Sequence, residues 1–123
     1  MLLPKVSVII INYNGIELLE KCLESLFKVE YDNFEVVIVD NNSSDNTIDF
    51  LTKNYPSVII IKLDSNKGFA APNNIAAKIT KGDFLLFLNN DTIVTPNFIS
   101  EMIKVIKNDD KISICQSLLL KKT

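Results

Sequence analysis

A short apolar run followed by three polar residues is the part of the chain best suited to chemistry. Phe84–Leu88 contains only apolar side chains and predicts a strand buried on both faces, and Asn89, Asn90 and Asp91 follow it directly. In open α/β sheets, ligands bind just beyond the carboxyl ends of the strands. A carboxylate in that position can hold Mg²⁺ or Mn²⁺ against a phosphate. The alternative is an ordinary polar turn after a strand.

Three other predicted strands are also followed by polar residues. Asn12-Tyr13-Asn14 follows the first strand, Asp40–Asp45 the second and Asp64–Gly68 the third. Because the carboxyl ends of parallel strands face one edge of a sheet, these side chains are expected to converge there. Each turn taken alone is composed of common turn-forming residues, so convergence is the informative feature.

The elements that would position these residues alternate between strand and helix. The predicted strands are Val6–Ile11, Val36–Val39, Val58–Ile61, Phe84–Leu88 and Ile112–Cys115, with Leu118–Leu120 as a candidate extension. Apolar residues at helical spacing predict helices at Leu18–Phe27, at Ile48–Leu51 capped by Asp45-Asn46-Thr47, and around Asn73–Thr80 with Pro72 near its first turn. A further helix is predicted with Thr95 as its N-cap, Pro96 at its first helical position and an apolar face of Phe98, Met102, Ile103 and Ile106. This alternation predicts an α/β fold with a mainly parallel sheet and helices on both faces.

Composition excludes several kinds of site. The 123 residues fit one domain, and the net charge of −2 without a basic block argues against nucleic-acid binding. All 13 basic residues are Lys, and the absence of His excludes a histidine base or a His-ligated zinc within this chain. Cys22 and Cys115 match no metal spacing and are predicted to be buried free thiols of a cytosolic protein. We expect no signal peptide and no membrane span.

Four segments of the chain resemble the family 2 glycosyltransferases, which have the GT-A fold. These segments are Val6–Asn14, Val36–Asp45, Asn66–Asn74 and Gly82–Asp91. Together they cover nearly the whole chain, and the second and fourth are the most specific. Asn66–Phe69 followed by Leu88–Asp91 is also similar to rhamnosyltransferase-like members. The resemblance implies a Rossmann-like domain that binds a nucleotide diphosphate-sugar at its strand ends.

The resemblance also implies roles for the first two polar turns. Asn12, Tyr13 and Asn14 would lie along the nucleotide, with the Tyr13 ring stacked on the base, unless that ring is simply half-buried at the sheet rim. Asp40 would accept a hydrogen bond from the base edge, because a carboxylate only accepts. Asp45 would contact the nucleotide or cap the next helix.

The later turns receive roles in the same way. Asn66 and Gly68 would pass near the base and ribose, and Lys67 would meet a phosphate or remain an exposed loop residue. The remaining donor-binding positions are Asn42, Asn74, Asn89 and Asn90. Asp91 would be the direct ligand of Mg²⁺ or Mn²⁺, because it matches the second Asp of the family's Asp-x-Asp motif, with Asn89 in place of the first.

The implied reaction is inverting transfer of a sugar from the donor to a hydroxyl of a glycan or lipid-linked acceptor, in cell-surface polysaccharide or glycolipid synthesis. The family's carboxylate base lies well beyond the Asp-x-Asp segment. We therefore expect residues 1–123 to be a single donor-binding half-domain without a catalytic residue, lacking the acceptor-binding part. The expected location is the cytoplasm, at the cytoplasmic face of the membrane for a longer enzyme.

Two other classes of protein remain as alternatives. A non-catalytic nucleotide-binding or assembly module would associate as a homo-oligomer through an open sheet edge. A receiver-type signalling domain has similar size and strand-end Mg²⁺, but it requires an acidic pair where this chain has Asn12-Tyr13-Asn14. A dinucleotide-binding enzyme is disfavoured, because no Gly-x-Gly-x-x-Gly follows the first strand.

Overall fold

A computed structural model describes residues 3–108 as alternating strands and helices. The strands are β1 (Val6–Asn12), β2 (Phe34–Asp40), β3 (Ile59–Lys62) and β4 (Phe84–Asn89). The helices are α1 (Ile16–Leu26), α2 (Thr47–Asn54), α3 (Ala70–Ile79) and α4 (Phe98–Lys107). The predicted fifth strand, Ile112–Cys115 with Leu118–Leu120, lies outside the described residues.

The described strands form one parallel sheet in the order β3-β2-β1-β4. β1 is central: Asn12 lies opposite Asp40 of β2, and Ile11 lies opposite Asn89 of β4. β3 pairs with β2 up to Lys62, opposite Asp40. The polar residues that follow the strands therefore emerge at a single edge, and the predicted parallel α/β fold is confirmed.

Helices cover both faces of the sheet, as predicted. Successive strand residues point to opposite faces, so the apolar strands supply two cores. Val8 and Ile10 pack with apolar residues of α1, α2 and α4, whereas Ile9 and Val37 pack with Ala76 of α3. Each fully buried aliphatic side chain contributes about 1.5–3 kcal/mol relative to exposure. This burial fixes the strands, and hence the positions from which the polar turns start.

The prediction that the strand Phe84–Leu88 is buried on both faces is wrong. Leu88 is 8% exposed, but Leu85 and Phe87 are 42% and 52% exposed. The sheet order gives the reason, because β4 is an edge strand among the described strands. Leu85 and Phe87 lie on the face that carries α3, and α3 packs on β1 and β2.

Two helices begin at residues other than those predicted. α3 begins at Ala70 instead of Asn73, and it contains Pro72 in its first turn, as expected. Thr95-Pro96 does not start α4, whose N-cap is Asn97. Instead the Pro96 carbonyl accepts a hydrogen bond from the Glu30 N–H at 2.7 Å, so the chain turns into the helix only afterwards.

Candidate functional site

An open cleft of about 460 Å³ lies at the carboxyl edge of the sheet. We call it the strand-end cleft. Its lining residues are Ile11, Tyr13, Asn41, Asn66, Gly68, Phe69, Leu88, Asn89, Asn90 and Asp91. They follow or end all of the described strands, so the predicted convergence of polar turns is confirmed. Of the residues predicted to bind a donor, the cleft brings together Tyr13, Asn66, Gly68, Asn89 and Asn90, with Asp91 beside them.

Asn12 is fully buried beneath the cleft and does not line it. Its Nδ2 lies 3.3 Å from Asp40 Oδ1 and 3.2 Å from Thr47 Oγ1, and its Oδ1 accepts a hydrogen bond from Asn90 Nδ2 at 3.0 Å. One amide thereby joins the turns after β1, β2 and β4. The position suits a residue that fixes these turns relative to one another, because buried amides stabilise a fold only when their hydrogen bonds are made.

Asp40 is also fully buried, and its carboxylate is engaged by its own turn. Oδ2 accepts a hydrogen bond from the Ser43 N–H at 2.8 Å, and Oδ1 accepts one from Ser43 Oγ at 2.7 Å. This is the side-chain-to-backbone pattern by which Asp closes turns. The predicted contact between Asp40 and a nucleotide base stays a prediction. In the structure, the carboxylate stabilises the turn after β2 by accepting both hydrogen bonds from Ser43.

The turns after β1 and β2 are joined by Asn14 and Asp45, and neither residue lines the cleft. Asn14 has φ 48°, a left-handed conformation that Asn tolerates, and its Oδ1 accepts the Ser44 N–H at 2.8 Å. Asp45 Oδ1 accepts the N–H of Thr47 at 3.2 Å, and Oδ2 accepts the N–H of Ile16 at 3.3 Å. Asp45 thus bonds the N–H groups of the first residues of α2 and α1, although the N-cap position of α2 is Asn46; its contact with a nucleotide stays a prediction.

Three other predicted positions lie outside the cleft lining. Asn42 is exposed at φ 67°, and Asn74 is exposed on α3. Lys67 points its ammonium group to Asp64 Oδ1 at 3.6 Å and to Ser65 Oγ at 3.2 Å. An exposed pair of this kind contributes at most about 1 kcal/mol, so it does not prevent Lys67 from moving to a phosphate.

The sequence-based prediction missed four of the lining residues, which are Ile11, Asn41, Phe69 and Leu88. Asn41 is 4% exposed, and its amide bonds to the backbone of Lys67 and Gly68. Strand alternation is the signal that identifies Asn41. Side chains alternate between the two faces of a strand, so the residue after Asp40 points to the same face as Val37 and Val39, which is the face that carries α3. Phe69 is 62% exposed at the start of α3; it lies in the Asn66–Asn74 segment that carries the resemblance, but no role was assigned to it.

Among residues 3–108, Asp91 is the only carboxylate in the cleft lining. Its side chain is exposed, and no hydrogen bond or ion pair within residues 3–108 engages it. The same residues contain no cluster of three or more His, Cys, Asp or Glu side chains suited to a metal. One free carboxylate beside amide oxygens nevertheless fits Mg²⁺ or Mn²⁺, because these ions commonly take one or two carboxylates and complete their shell with phosphate and water.

Cys22 of α1 lies directly behind this corner of the cleft. It is a buried free thiol, as predicted, and its Sγ lies 3.8 Å from the carbonyl oxygen of Asn89. The pKa of the Cys22 thiol is raised to about 11, mainly by burial; a hydrogen bond with the Thr92 backbone opposes the rise, and the charge of Asp91 adds to it. The thiol is therefore a packing group and not a nucleophile.

Residues 7–122 match the family model described as Glycosyl transferase family 2. The chain is 35% identical over 96 residues to a poly(ribitol-phosphate) beta-glucosyltransferase of Bacillus spizizenii. The aligned region covers 73% of this chain and 15% of that protein. It is 35% identical over 105 residues to the Escherichia coli UDP-Glc:alpha-D-GlcNAc-diphosphoundecaprenol beta-1,3-glucosyltransferase WfaP, covering 85% of this chain and 42% of that protein. The chain thus spans less than half the length of these relatives.

Solved structures show the same architecture. S. aureus TarS 1-349 in complex with UDP-GlcNAc superposes with a TM-score of 0.78 and 31% identity, over 85% of this chain and 31% of that one. The mannosyltransferase PcManGT from Pyrobaculum calidifontis, in complex with GDP-Man and Mn²⁺, gives a TM-score of 0.78 at 23% identity, which establishes a shared fold alone. None of the helices within residues 3–108 has the length and the apolar composition of a membrane span.

Proposed function

This chain belongs to glycosyl transferase family 2, and from that premise we propose that the strand-end cleft binds the nucleoside diphosphate of a sugar donor. The observation that carries the proposal is the cleft itself, in which residues following every described strand meet around one free carboxylate, Asp91. A site of this composition suits a ligand with a polar ring system, several hydroxyls and a charged diphosphate. The nucleotide sugars named with TarS and WfaP have this chemistry.

Each part of the cleft has a role in this proposal. The ring of Tyr13 is 52% exposed and offers a flat face with a polar tip for the base. Asn66 and the backbone at Gly68 form the wall along the nucleoside, and Asn89 and Asn90 offer amide groups at the other end. Because the chain has no Arg, the diphosphate charge falls to a cation, backbone N–H groups and Lys67.

Asp91 would hold the metal, with Asn89 and Asn90 beside it and the donor's phosphates as further ligands. When bound, a divalent cation neutralises the charge that develops on the leaving diphosphate. The chain's own contribution is positional: Asn90 is tied to the buried Asn12, so the backbone that carries Asp91 starts from a fixed point. Mg²⁺ and Mn²⁺ both satisfy this donor set.

The proposed reaction is inverting transfer of the sugar to an acceptor hydroxyl, with a glycan or lipid-linked acceptor as in the names of the curated relatives. Asp91 is the single carboxylate in the cleft lining of residues 3–108, so the base that deprotonates the acceptor would come from other residues. We propose that the 123-residue chain alone binds the donor without transferring it. A cytoplasmic location and a role in polysaccharide synthesis are parts of the same proposal.

Binding calorimetry with UDP, GDP and dTDP, each with and without Mn²⁺, tests the donor site and identifies the base. We expect one of these nucleoside diphosphates to bind in the presence of the metal. We expect the corresponding nucleoside monophosphate to bind more weakly, because it offers the cation fewer phosphate oxygens. Absence of binding by all of these nucleotides would contradict the proposed function. Turnover of the donor by this chain with an added acceptor would contradict only the donor-binding-without-transfer part.

A further inference from the structure

Asn41 makes two hydrogen bonds to the backbone of a separate turn. Its Oδ1 accepts the Lys67 N–H at 2.9 Å, and its Nδ2 donates to the Gly68 carbonyl oxygen at 2.7 Å. The residue is 4% exposed, although it lies in the lining of the cleft. A buried amide that accepts from one peptide group and donates to the next holds both peptides in a fixed orientation.

The segment it holds, Asn66–Gly68, has a backbone conformation that needs support. Gly68 has φ +78°, which L-residues rarely adopt, and the Asn66 side chain accepts the Gly68 N–H at 2.9 Å. The Lys67 side chain bonds to Asp64 and Ser65 within the same exposed turn. Asn41 therefore supplies the side-chain hydrogen bonds that tie this segment to the sheet.

The same segment forms one wall of the cleft. Asn66, Gly68 and the following Phe69 all line it, and Phe69 begins α3. A wall that samples several conformations would bind a ligand more weakly, because only the competent fraction contributes to affinity. Pre-organisation by a buried side chain removes that loss.

We infer that Asn41 is a positioning residue, which sets the Asn66–Gly68 wall of the cleft for the nucleoside diphosphate and does so through its amide bonds to Lys67 and Gly68. This inference rests on the proposed function. Because both polar atoms of the side chain already serve the wall and the residue is nearly inaccessible, its effect on the ligand is indirect.

The test compares Asn41→Ala with Asn33→Ala as a matched control. Asn33 also donates its amide over a long sequence distance, to the Leu3 carbonyl oxygen at 2.8 Å, but it precedes β2 at the opposite end of the sheet. Gly68→Ala is a second variant: a Cβ there meets no atom within 4 Å, so it disturbs the same wall through backbone conformation alone. For each protein, amide hydrogen exchange and the dissociation constant for UDP with Mn²⁺ are measured well below the unfolding temperature. GDP or dTDP replaces UDP if the wild type prefers it.

Asn41→Ala is expected to speed exchange of the Lys67 amide and to weaken nucleotide binding about tenfold, the equivalent of losing one to two ordinary hydrogen bonds. Gly68→Ala should weaken binding similarly, and Asn33→Ala should leave affinity unchanged. A merely structural Asn41 would lower the melting temperature with wild-type affinity, and that result overturns the inference. Unchanged exchange at Lys67 overturns it as well. If the wild type binds no nucleotide, the proposed function is contradicted. Faster exchange in Asn41→Ala would then support only the holding of the wall by Asn41, and its role in nucleotide binding would be overturned.

Discussion

Asn12 Oδ1 accepts a hydrogen bond from Asn90 Nδ2 at 3.0 Å, and this bond joins the central strand to the turn that carries Asp91. The hydrogen bond between Asn12 and Asn90 has room because the nearby residue 15 is a glycine. A Cβ at Gly15 would lie 2.6 Å from Asn90 Nδ2 and 2.8 Å from Asn12 Oδ1. Gly15 has φ −118°, an ordinary value, so the need for glycine here is one of space.

Gly15→Ala is therefore expected to destabilise the protein by about 1–3 kcal/mol, the usual cost of adding a group to a filled site. Urea unfolding measures the change. In an Asn90→Ala background, the same substitution should cost less, because the nearer clashing atom is gone. An equal cost in both backgrounds would show that the clash lies elsewhere.

The two faces of β4 should respond differently to truncation. Leu88→Ala is expected to cost about 2–5 kcal/mol, the range for buried Leu, because Leu88 is 8% exposed. Phe87→Ala should cost much less than the usual 3–5 kcal/mol for a buried Phe, because Phe87 is 52% exposed. Urea unfolding measures the free energy of unfolding of both variants. A larger loss of stability for Phe87→Ala than for Leu88→Ala would contradict the prediction and would mean that the Phe87 face of β4 is covered in solution.

Glu35 should make stability depend on pH at the amino end of the sheet. Burial raises the pKa of the Glu35 carboxyl, but hydrogen bonds from Ser7 Oγ and the Lys81 N–H and the charge of Lys5 outweigh it, so the net pKa is lowered. A lowered carboxyl pKa stabilises the fold at pH above the unfolded value, and this contribution is lost as pH falls through the folded value. The free energies of unfolding of wild type and Glu35→Gln should thus differ by about 1 kcal/mol at pH 7 and converge on acidification. A difference that does not change with pH would contradict this assignment.

Cys22 should be unreactive in the folded protein. In a Cys115→Ser background, which leaves Cys22 as the sole cysteine, a pKa of about 11 in place of 9.0 lowers the thiolate fraction at pH 8 about a hundredfold. Modification by a disulfide reagent should accordingly be at least about a hundredfold slower than in urea. Since the folded pKa is the higher one, this thiol stabilises the fold below pH 9 and loses that contribution as pH rises through 11. Rapid modification under native conditions would contradict the burial.

Apolar runs for the strands and helical spacing of apolar residues for the helices were sufficient to predict the parallel α/β fold. The order of the strands in the sheet cannot be read from these patterns, since an apolar run such as Phe84–Leu88 looks the same in a central strand and in an edge strand. The structure places it at an edge of the described sheet, which is why Leu85 and Phe87 are exposed.

The site was predictable as a location and less so as a set of contacts. Polar turns after parallel strands had to meet, and they do. Which amide faces outward depends on backbone detail: Asn41 and Asn42 are neighbours of the same type, yet one clamps Lys67 and Gly68 and the other is exposed at φ 67°. The side chains of Asn12 and Asp40 hold the turns together, a role that their sequence did not indicate, and their predicted contacts with a nucleotide stay predictions. Composition alone could not separate these roles.

The most direct test of the central proposal is the effect of Mn²⁺ on nucleoside diphosphate affinity in wild type and in Asp91→Asn. Asn has the shape of Asp without the charge, and Asp32→Asn, an exposed carboxylate that precedes β2 at the other end of the sheet, is the matched control. We predict that Mn²⁺ strengthens UDP binding at least about tenfold, or about 1.4 kcal/mol, in wild type and Asp32→Asn, and has little effect in Asp91→Asn. The same Mn²⁺ enhancement in Asp91→Asn would contradict the assignment of Asp91 as the metal ligand of a donor site.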